Sequence, residues 1–522
     1  MSNEHKVAQL NELDEGQMKP VEIDDTSVLL SKIDGEVYAV SGTCTHYGAP
    51  LEDGALHNGQ VICPWHHACF DVKTGAHLEP PGLNALARFE VRVDGDDIFV
   101  TLPDAAETER KPEATSQKDD SQTFVILGGG IAGENAAEVL RDEGFTGRLV
   151  MITKEAVWPY DRTKLSKGLD AATKENEIQL RDEAFYKERD IERMVKEVTK
   201  VSADDKMVAF ADGETLGYDA LLVATGSTPK KLEIPGTDLN GVYTLRSIED
   251  AQRILEAAKI GDKAVLIGSS FIALELASAL QDQDVKVSIV APESVPFEKI
   301  LGEKVGKKVQ ANHEKQGTTF YLERKPQALE GSSKVERVKL DDGTVLDADF
   351  VIIGIGVTPV TDIVQGVDKA DDGGIEVDET LKAADALYAA GDIAQFPMPR
   401  SGEQVRIEHW RLAAQHGRTA ARNMLGKGET FTGVPYFWTA QPDLKLRYVG
   451  HAEDFDDIVY DGDVEGGEFI AYYVKDGSLL AAAGSGRDKE LAALEHLMKT
   501  NNPPSADELK KGVDLLERLQ NI

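Results

Sequence analysis

Residues 122–144 read QTFVILGGGIAGENAAEVLRDEG. A short apolar run precedes a glycine turn, and small and apolar residues then recur at helical spacing, which predicts a strand, a turn and a helix. In this context G-x-G-x-x-G lets the backbone approach a pyrophosphate at the helix N-terminus. We therefore predict a dinucleotide site on Gly128, Gly130 and Gly133. Glu155, which ends the next apolar stretch, is placed to bond the adenosine ribose.

A related unit lies farther along the chain, where residues 261–283 read GDKAVLIGSSFIALELASALQDQ. Such alternation of strands and helices predicts a parallel, doubly wound sheet. Gly268 keeps the first position of the glycine pattern, Ser270 and Ala273 occupy the other two, and Glu293 is the nearest acid to the expected ribose position. Two interpretations stay open: a second dinucleotide site, or a degenerate unit kept for packing.

Two turns near the N-terminus combine cysteine with histidine. They read Cys44-Thr-His46 and Cys63-Pro-Trp-His66. Together they supply two Cys for one iron and two His for another, which is the ligand set of a Rieske [2Fe–2S] cluster. The alternative is structural zinc, but zinc sites of this composition usually pair Cys with Cys and His with His. We interpret the four residues as cluster ligands, and Cys69 as a buried thiol outside the ligand set.

Composition excludes several classes of partner. The chain of 522 residues has 92 acidic and 57 basic residues and a net charge of −35, which disfavours nucleic acid and anionic membranes. No apolar run is long enough to span a bilayer. The 3 cysteines form no disulfide framework and fit a reducing compartment. The N-terminus lacks a targeting pattern, so we expect a cytoplasmic location.

Three further motifs strengthen the first dinucleotide site. They are Pro159-Tyr-Asp-Arg162-Thr-Lys-Leu-Ser-Lys167, Ala224-Thr225-Gly226 and Ala389-Ala-Gly391-Asp392. With the glycine turn, this set resembles the flavin-dependent ferredoxin reductases and the apoptosis-inducing factor family. The resemblance implies FAD, with Arg162 and Lys167 in contact with it and Asp392 holding the ribityl chain. Thr225, Gly226 and Gly391 would belong to the same site, whereas Arg162 or Lys167 taken singly would be a solvated charge.

The same resemblance implies a reaction centre. Glu275 would pair with Lys167 beside the flavin, where the pair polarises the position that receives hydride. His409 and Trp410 would begin a helix whose N-terminus stabilises charge on the reduced flavin. Trp438, in the string Phe-Trp-Thr, would lie near flavin and nicotinamide. Either tryptophan could instead be an ordinary core residue.

The chain as a whole resembles the apoptosis-inducing factor 3-like family, in which a Rieske domain is fused to a flavin reductase. The implied fold is multidomain: an all-β Rieske domain, an α/β flavoprotein with two dinucleotide-binding domains of the glutathione-reductase type, and an α+β C-terminal domain. We predict a Rieske domain at 1–102, a polar linker at 103–121, an FAD-binding domain at 122–244 and 371–429, an NAD(P)H-binding domain at 245–370 and a C-terminal domain at 430–522.

The predicted function is an FAD-dependent NAD(P)H oxidoreductase. Electrons would pass from NAD(P)H through FAD to the Rieske cluster and on to an unidentified one-electron acceptor, which could be a protein. Two alternatives stay open: a slow redox-sensing flavoprotein, or the reductase component of an oxygenase system. A homodimer is also left open.

Overall fold

Residues 4–101 form an antiparallel β unit in the computed structural model, which describes residues 4–103, 114–117, 120–170 and 174–522. Its strands are β1 (Glu4–Gln9), β2 (Met18–Ile23), β3 (Thr26–Ile33), β4 (Glu36–Ser41), β5 (Ala55–His57), β6 (Gln60–Ile62), β7 (Cys69–Asp71), β8 (His77–Glu79), β9 (Arg88–Asp94) and β10 (Asp97–Thr101). One sheet has the order β1-β10-β9-β4-β3-β2 and a smaller one the order β5-β6-β7-β8. The predicted all-β fold is confirmed. The turn that carries Cys44 follows β4 of the larger sheet, and the turn that carries Cys63 follows β6 of the smaller one.

The predicted linker, 103–121, lies partly outside the described residues. Its described part is bonded to the next domain: the amide of Ala114 donates to the carbonyl of Arg141, and the amide of Gln117 donates to that of Thr146 at 2.8 Å. The buried guanidinium of Arg141 also donates to the Ser116 hydroxyl at 2.9 Å. The end of the linker is therefore attached to the domain that follows it.

The first dinucleotide unit follows the linker. Its elements are β11 (Thr123–Leu127), α1 (Ile131–Asp142), β12 (Arg148–Thr153), α2 (Lys164–Lys167), α3 (Glu175–Ile178), α4 (Glu183–Glu188), β13 (Ile191–Val195), β14 (Val198–Ser202), β15 (Met207–Phe210), β16 (Thr215–Gly217), β17 (Ala220–Val223) and β18 (Ser227–Pro229). β11 is buried along almost its whole length, because helices cover both faces of a parallel sheet.

The second unit repeats the pattern. Its elements are β19 (Val242–Tyr243), α5 (Ile248–Ile260), β20 (Lys263–Ile267), α6 (Phe271–Gln281), β21 (Lys286–Val290), α7 (Glu298–Lys315), β22 (Thr319–Tyr321), β23 (Pro326–Glu330), β24 (Arg337–Leu340), β25 (Val345–Asp347), β26 (Phe350–Ile353) and β27 (Val357–Pro359). The parallel sheet has the order β19-β26-β20-β21-β22, and β27 pairs with β18 to connect the two units.

The chain then returns to the first unit. The returning elements are β28 (Val364–Gln365), β29 (Ile375–Glu376), β30 (Lys382–Ala384), β31 (Leu387–Ala389), β32 (Ala394–Pro397), β33 (Gln404–Arg406) and α8 (Trp410–Met424). β31 completes the sheet β13-β12-β11-β17-β31-β30, so the loops after β11, β17 and β31 meet at one edge. Ligands of doubly wound sheets bind at this carboxyl edge, and the predicted doubly wound fold is confirmed.

The C-terminal part is an antiparallel sheet covered by helices. It consists of β34 (Tyr436–Gln441), β35 (Leu444–Gly450), β36 (Asp457–Asp463), β37 (Glu468–Lys475), β38 (Ser478–Ser485), α9 (Asp488–Lys499), α10 (Ala506–Lys511) and α11 (Leu515–Gln520). The sheet order is β34-β35-β38-β37-β36. One face shares an apolar core with α6 and α7, and α9 covers the other. In the described ranges no helix is both long and apolar enough to cross a bilayer.

Candidate functional site

The two predicted cluster loops have the same backbone geometry. The amide of Cys44 donates to the carbonyl of Ala49 at 2.9 Å, and that of Cys63 donates to the carbonyl of Ala68 at 2.8 Å. In each loop the residue four positions after the cysteine donates back to the cysteine carbonyl. Each turn therefore holds its cysteine at the base and its histidine at the tip.

The four predicted ligands converge. Both thiols are buried and hydrogen-bonded to each other, and this bond holds the pKa of Cys63 below its ordinary value. The Nδ1 atoms of His46 and His66 lie 3.0 Å apart. Burial lowers the pKa of His46 to about 4 and that of His66 to about 2, so both rings are neutral, as metal ligands must be.

This donor set fits a two-iron cluster. No group of three or more His, Cys, Asp or Glu suited to one metal ion occurs in the part of the chain that the structure describes. A [2Fe–2S] cluster of the Rieske type needs two ligands per iron instead, and the loops offer two thiols and two imidazoles as separate pairs. Cys69 lies apart from them, and burial raises the pKa of its thiol to about 12.

A cavity of about 590 Å³ lies at the carboxyl edge of both parallel sheets. Of the predicted site residues, those lining it are Gly130, Arg162, Lys167, Gly226, Ser270, Glu275, Gly391, Asp392, His409, Trp410 and Trp438. Residues predicted for FAD and for the nicotinamide unit thus share one space. That arrangement is what hydride transfer between two bound dinucleotides requires.

The three glycines of the first motif have different surroundings. A Cβ on Gly128 would lie 2.0 Å from the carbonyl of Ala224, and one on Gly133 would lie 2.1 Å from the carbonyl of Gly128. A Cβ on Gly130 would meet nothing within 4 Å. Two glycines therefore allow close packing of strand and helix, and the third faces the open space where a pyrophosphate would lie.

The Lys167 ammonium reaches the buried carboxylate of Glu275 at 3.1 Å. The same carboxylate accepts hydrogen bonds from the hydroxyls of Ser166 at 2.5 Å and Thr439 at 2.7 Å, and from the amide of Ala440 at 3.3 Å. Four donors from two domains fix this group. The ion pair predicted from the sequence is thus present at the wall of the cavity.

Trp438 lies between the cavity and the histidine tips of the cluster loops. Its ring centroid is 4.4 Å from that of His66 and 6.0 Å from that of His46. The Lys167 ammonium lies 6.0 Å from the centroid of the same ring. One aromatic side chain therefore contacts a predicted cluster ligand and also lines the cavity.

Helix α8 directs its N-terminus at the cavity. His409 is its N-cap residue and Trp410 its first residue, and both line the cavity. Burial lowers the pKa of His409 to about 3, so the imidazole is neutral. The positive end of the helix dipole therefore faces the cavity, where negative charge on a reduced flavin would be stabilised.

The other predicted FAD residues have protein partners. Glu155 does not line the cavity: its carboxylate accepts from the Tyr160 hydroxyl at 2.8 Å and is paired with Arg162. Thr225 donates through its hydroxyl to a backbone carbonyl at 2.6 Å. The carboxylate of Asp392 accepts from Arg246 at 2.9 Å. Arg246 was missed in the sequence because no motif surrounds it.

The second glycine loop is adapted to its substitutions. A Cβ on Gly268 would lie 2.4 Å from the carbonyl of Gly354, which explains why this glycine is retained. Ser270 caps α6 by accepting from the amide of Ala273 at 3.3 Å. The hydroxyl of Ser269 donates to Glu293 at 3.3 Å, which places that carboxylate beside the loop.

Sequence reasoning missed the residues that join the β unit to the reductase. The Tyr47 hydroxyl donates to Asp161, and Arg181 donates to the backbone carbonyl of Leu83. The buried guanidiniums of Arg411 and Arg447 also donate to carbonyls of the cluster loops. Charged residues on helices and strands carry no sequence signal that separates a domain contact from a solvated surface.

Comparison with known proteins identifies the family. The Rieske [2Fe-2S] domain model matches residues 3–90, the pyridine nucleotide-disulphide oxidoreductase model 122–417 and the reductase C-terminal model 436–519. Apoptosis-inducing factor 3 of Mus musculus is 37% identical over 93% of this chain and 82% of its own length. The chain belongs to the apoptosis-inducing factor 3 family.

Reductases that match about three quarters of this chain are also similar. The ferredoxin–NAD(+) reductase component of the biphenyl dioxygenase system of Paraburkholderia xenovorans is 30% identical over 74% of this chain and 96% of its own. A ferredoxin reductase from Rhodopseudomonas palustris has a TM-score of 0.72 and 27% identity, and covers 76% of this chain and 99% of its own. The covalent putidaredoxin reductase–putidaredoxin complex has the same TM-score, over 77% of this chain and 98% of its own.

Membership of the apoptosis-inducing factor 3 family settles the class of chemistry. The protein is an oxidoreductase of the ferredoxin reductase type with a Rieske domain. Its cofactors are FAD and a [2Fe–2S] cluster, and NAD(P)H is its substrate. The roles of the individual residues described above stay predictions.

Proposed function

We propose that the protein passes electrons from NAD(P)H through FAD to its own Rieske cluster and from there to an external one-electron acceptor. FAD, when bound, would accept two electrons as hydride and release them singly. The single observation that carries the proposal is Trp438, which contacts His66 on one side and lines the dinucleotide cavity on the other.

Lys167 and Glu275 are proposed to organise hydride transfer. Glu275 is held by four donors, so it fixes the Lys167 ammonium at the cavity wall. A fixed positive charge costs no reorganisation when negative charge develops on the flavin, and this is how preorganised groups lower a barrier. The N-terminus of α8, which follows His409, would stabilise the same negative charge from another side of the cavity.

Glu293 favours NADH as the physiological donor. Its carboxylate lies beside Ser269 in the loop where the adenosine ribose would bind. A carboxylate accepts hydrogen bonds from the ribose hydroxyls, whereas the 2′-phosphate of NADPH would meet like charge. We also propose that the reaction takes place in the cytoplasm, where none of the three cysteines would be oxidised to a disulfide.

Anaerobic stopped-flow reduction tests the proposal. NADH and NADPH are mixed with the holoenzyme, and flavin absorbance and the cluster signal in freeze-quenched EPR spectra are followed separately. The flavin should be reduced first, faster by NADH, and the cluster should follow in the same molecule. A cluster that stays oxidised while the flavin is fully reduced would contradict the electron path.

A variant pair locates the path. Trp438→Leu should leave the rate of flavin reduction within about twofold and slow the reduction of the cluster. The control is Trp158→Leu. Trp158 lies away from the cluster loops and stacks on Tyr186, with the two ring centroids 4.8 Å apart. Equal cluster reduction in wild type and Trp438→Leu would remove Trp438 from the path.

A further inference from the structure

The residue after the second ligand pair is buried in the reductase. His67 is fully buried although it lies on a surface turn of its own domain. Its φ of 58° lies in the left-handed region, which is uncommon for residues other than glycine. Its Nδ1 lies 2.7 Å from an oxygen of Glu495, and its ring lies 4.1 Å from that of Tyr436. Contacts with the reductase therefore hold this turn.

Arg411 joins the same group from a third direction. Its guanidinium lies 2.8 Å from the other oxygen of Glu495. It also donates to the carbonyls of Pro80 at 2.8 Å and His67 at 2.9 Å. Arg411 belongs to the first turn of α8, directly after two residues that line the cavity, and Glu495 belongs to α9. The three side chains thus connect the cluster loop, the flavin domain and the C-terminal domain.

A second arginine orients the same loop. Arg447 donates to the carbonyl of Trp65 at 3.2 Å while its other nitrogen pairs with Asp488 at 3.0 Å. The Tyr436 hydroxyl donates to the same Trp65 carbonyl at 2.7 Å. Because these donors bind backbone carbonyls between the ligands Cys63 and His66, they fix the conformation of the ligand loop itself.

Apolar burial accompanies the polar contacts. Ala55 and Ile62, which pair with each other in the small sheet of the Rieske domain, belong to the same buried cluster as Leu491 and Leu494 of α9. Separation of the domains would expose this cluster to water and would take away the His67 ring and the two backbone carbonyls that bond Glu495 and Arg411. Both effects favour one docked arrangement.

We propose that His67, Glu495 and Arg411 form a latch that keeps the Rieske domain docked throughout turnover, with its histidine ligands facing the flavin cavity. A tether alone raises the effective concentration of one domain near the other but does not orient it. The latch supplies the orientation, and His67, Glu495 and Arg411 are positioning residues. The consequence for electron transfer rests on the proposed function, whereas the docking itself does not.

The test is to cut the chain and ask whether the domains stay together. A protease recognition sequence is placed within residues 104–113 of the full-length holoenzyme, and the cleaved protein is diluted and examined by size-exclusion chromatography. The variants are Glu495→Gln, which keeps the shape but removes the charge, and the control Glu490→Gln. Glu490 lies on the same helix and pairs with Arg487 of its own domain at 2.6 Å.

Cleaved wild type and Glu490→Gln should elute as one species, with an unchanged and dilution-independent rate of cluster reduction. Cleaved Glu495→Gln should dissociate at protein concentrations at least about 30-fold higher than those at which cleaved wild type would dissociate. The reason is that Arg411 is left buried without its anionic partner. Its rate of flavin reduction should be unchanged before cleavage. If Glu495→Gln fails to fold, His67→Gln is used instead. Amide hydrogen exchange of residues 63–70 is then measured, and it should be faster in His67→Gln than in wild type.

Separation of the cleaved wild type upon dilution would overturn the latch. So would a Glu495→Gln protein that stays associated as firmly as the Glu490→Gln control. Domains that stay together while the cluster is never reduced would support the latch and overturn the proposed electron path instead. Chromatography needs no redox chemistry, so the two failures are distinguishable.

Discussion

The buried carboxylate of Glu275 gives the sharpest test of the reaction centre. In the variant Glu275→Gln the amide oxygen can still accept from Thr439 and Ala440. The amide nitrogen would face the Ser166 hydroxyl and the Lys167 ammonium, which are donors. The Ser166 hydroxyl can rotate toward another acceptor, but the ammonium loses the carboxylate with which it pairs at the cavity wall. The variant therefore releases Lys167 while leaving the size of the side chain unchanged.

The expected loss follows from the number of bonds removed. One hydrogen bond to a charged group is worth about 1.5–3 kcal/mol. The Lys167 side chain is 26% exposed, so water replaces part of the lost interaction in the resting protein. If the fixed ammonium acts mainly when charge develops on the flavin, the barrier rises by about 1.5–3 kcal/mol, which slows flavin reduction by about 10- to 150-fold.

The assay is anaerobic single-turnover reduction by NADH at saturating concentration, with FAD content measured in the same samples. The control is Glu192→Gln, the same chemical change at an exposed pair in which Arg148 donates at 2.8 and 2.9 Å. Exposed pairs contribute about 0.2–1 kcal/mol to stability, and this one is remote from the cavity. Glu275→Gln protein that retains FAD and is reduced within about twofold of the wild-type rate would refute the role of the ion pair.

Three other outcomes are expected. Gly133→Ala should lower the melting temperature, because its Cβ would lie 2.1 Å from the Gly128 carbonyl. Gly130→Ala should melt like wild type as apoprotein and bind FAD more weakly in titrations, and an unchanged FAD affinity would contradict the role of Gly130. Cys63→Ala should lose the cluster EPR signal and iron content while retaining FAD, and a full signal would remove Cys63 from the ligand set. Burial, reinforced by a neighbouring carboxylate, raises the pKa of Glu134 from its ordinary 4.5 to about 8. The folded protein therefore holds a proton that the unfolded chain releases, and this group lowers the free energy of unfolding as pH rises from about 5 to 8. Glu134→Gln should gain stability relative to wild type over that range. Parallel pH profiles of the two melting temperatures would refute the assignment.

The structure also changes how the Rieske domain should be removed in experiments. Deleting residues 1–121 is the obvious way to separate flavin from cluster chemistry. It would uncover Arg411 and Glu495, which are 1% and 4% exposed in the intact chain. Such a truncation is expected to be destabilised for reasons unrelated to electron transfer, so single replacement of a ligand is the cleaner perturbation.

Motifs whose chemistry is local were readable from the sequence. Gly128 has a φ of 130°, a conformation that residues with a side chain rarely adopt, so the glycine pattern predicted both the turn and the open space at Gly130. The two Cys-x-His turns are likewise complete within a few residues. Their meeting follows from the ligand set, since one cluster needs all four side chains.

Other features depended on residues far apart in the chain. Glu155 was predicted for the ribose from its spacing, and only the fold showed that its carboxylate pairs with Arg162 instead of lining the cavity. The segment around Gln117 had the composition of a spacer, yet its backbone is bonded to the reductase. The sequence did not predict these contacts, because the partners of a polar residue depend on which residues the fold brings near it and not on sequence periodicity.

The sequence by itself determined the fold class, the two cofactors and the candidate residues that hold them, because glycine turns and ligand pairs are short-range requirements on backbone and donor chemistry. The tertiary structure alone decided how the two redox modules face each other. That orientation rests on Arg411 and Arg447 donating to backbone carbonyls of another domain, and on Glu495 balancing one of these charges. Every residue has a backbone carbonyl, so the sequence does not indicate which carbonyl accepts a hydrogen bond. It also does not distinguish an arginine that the partner domain buries from one that stays in water.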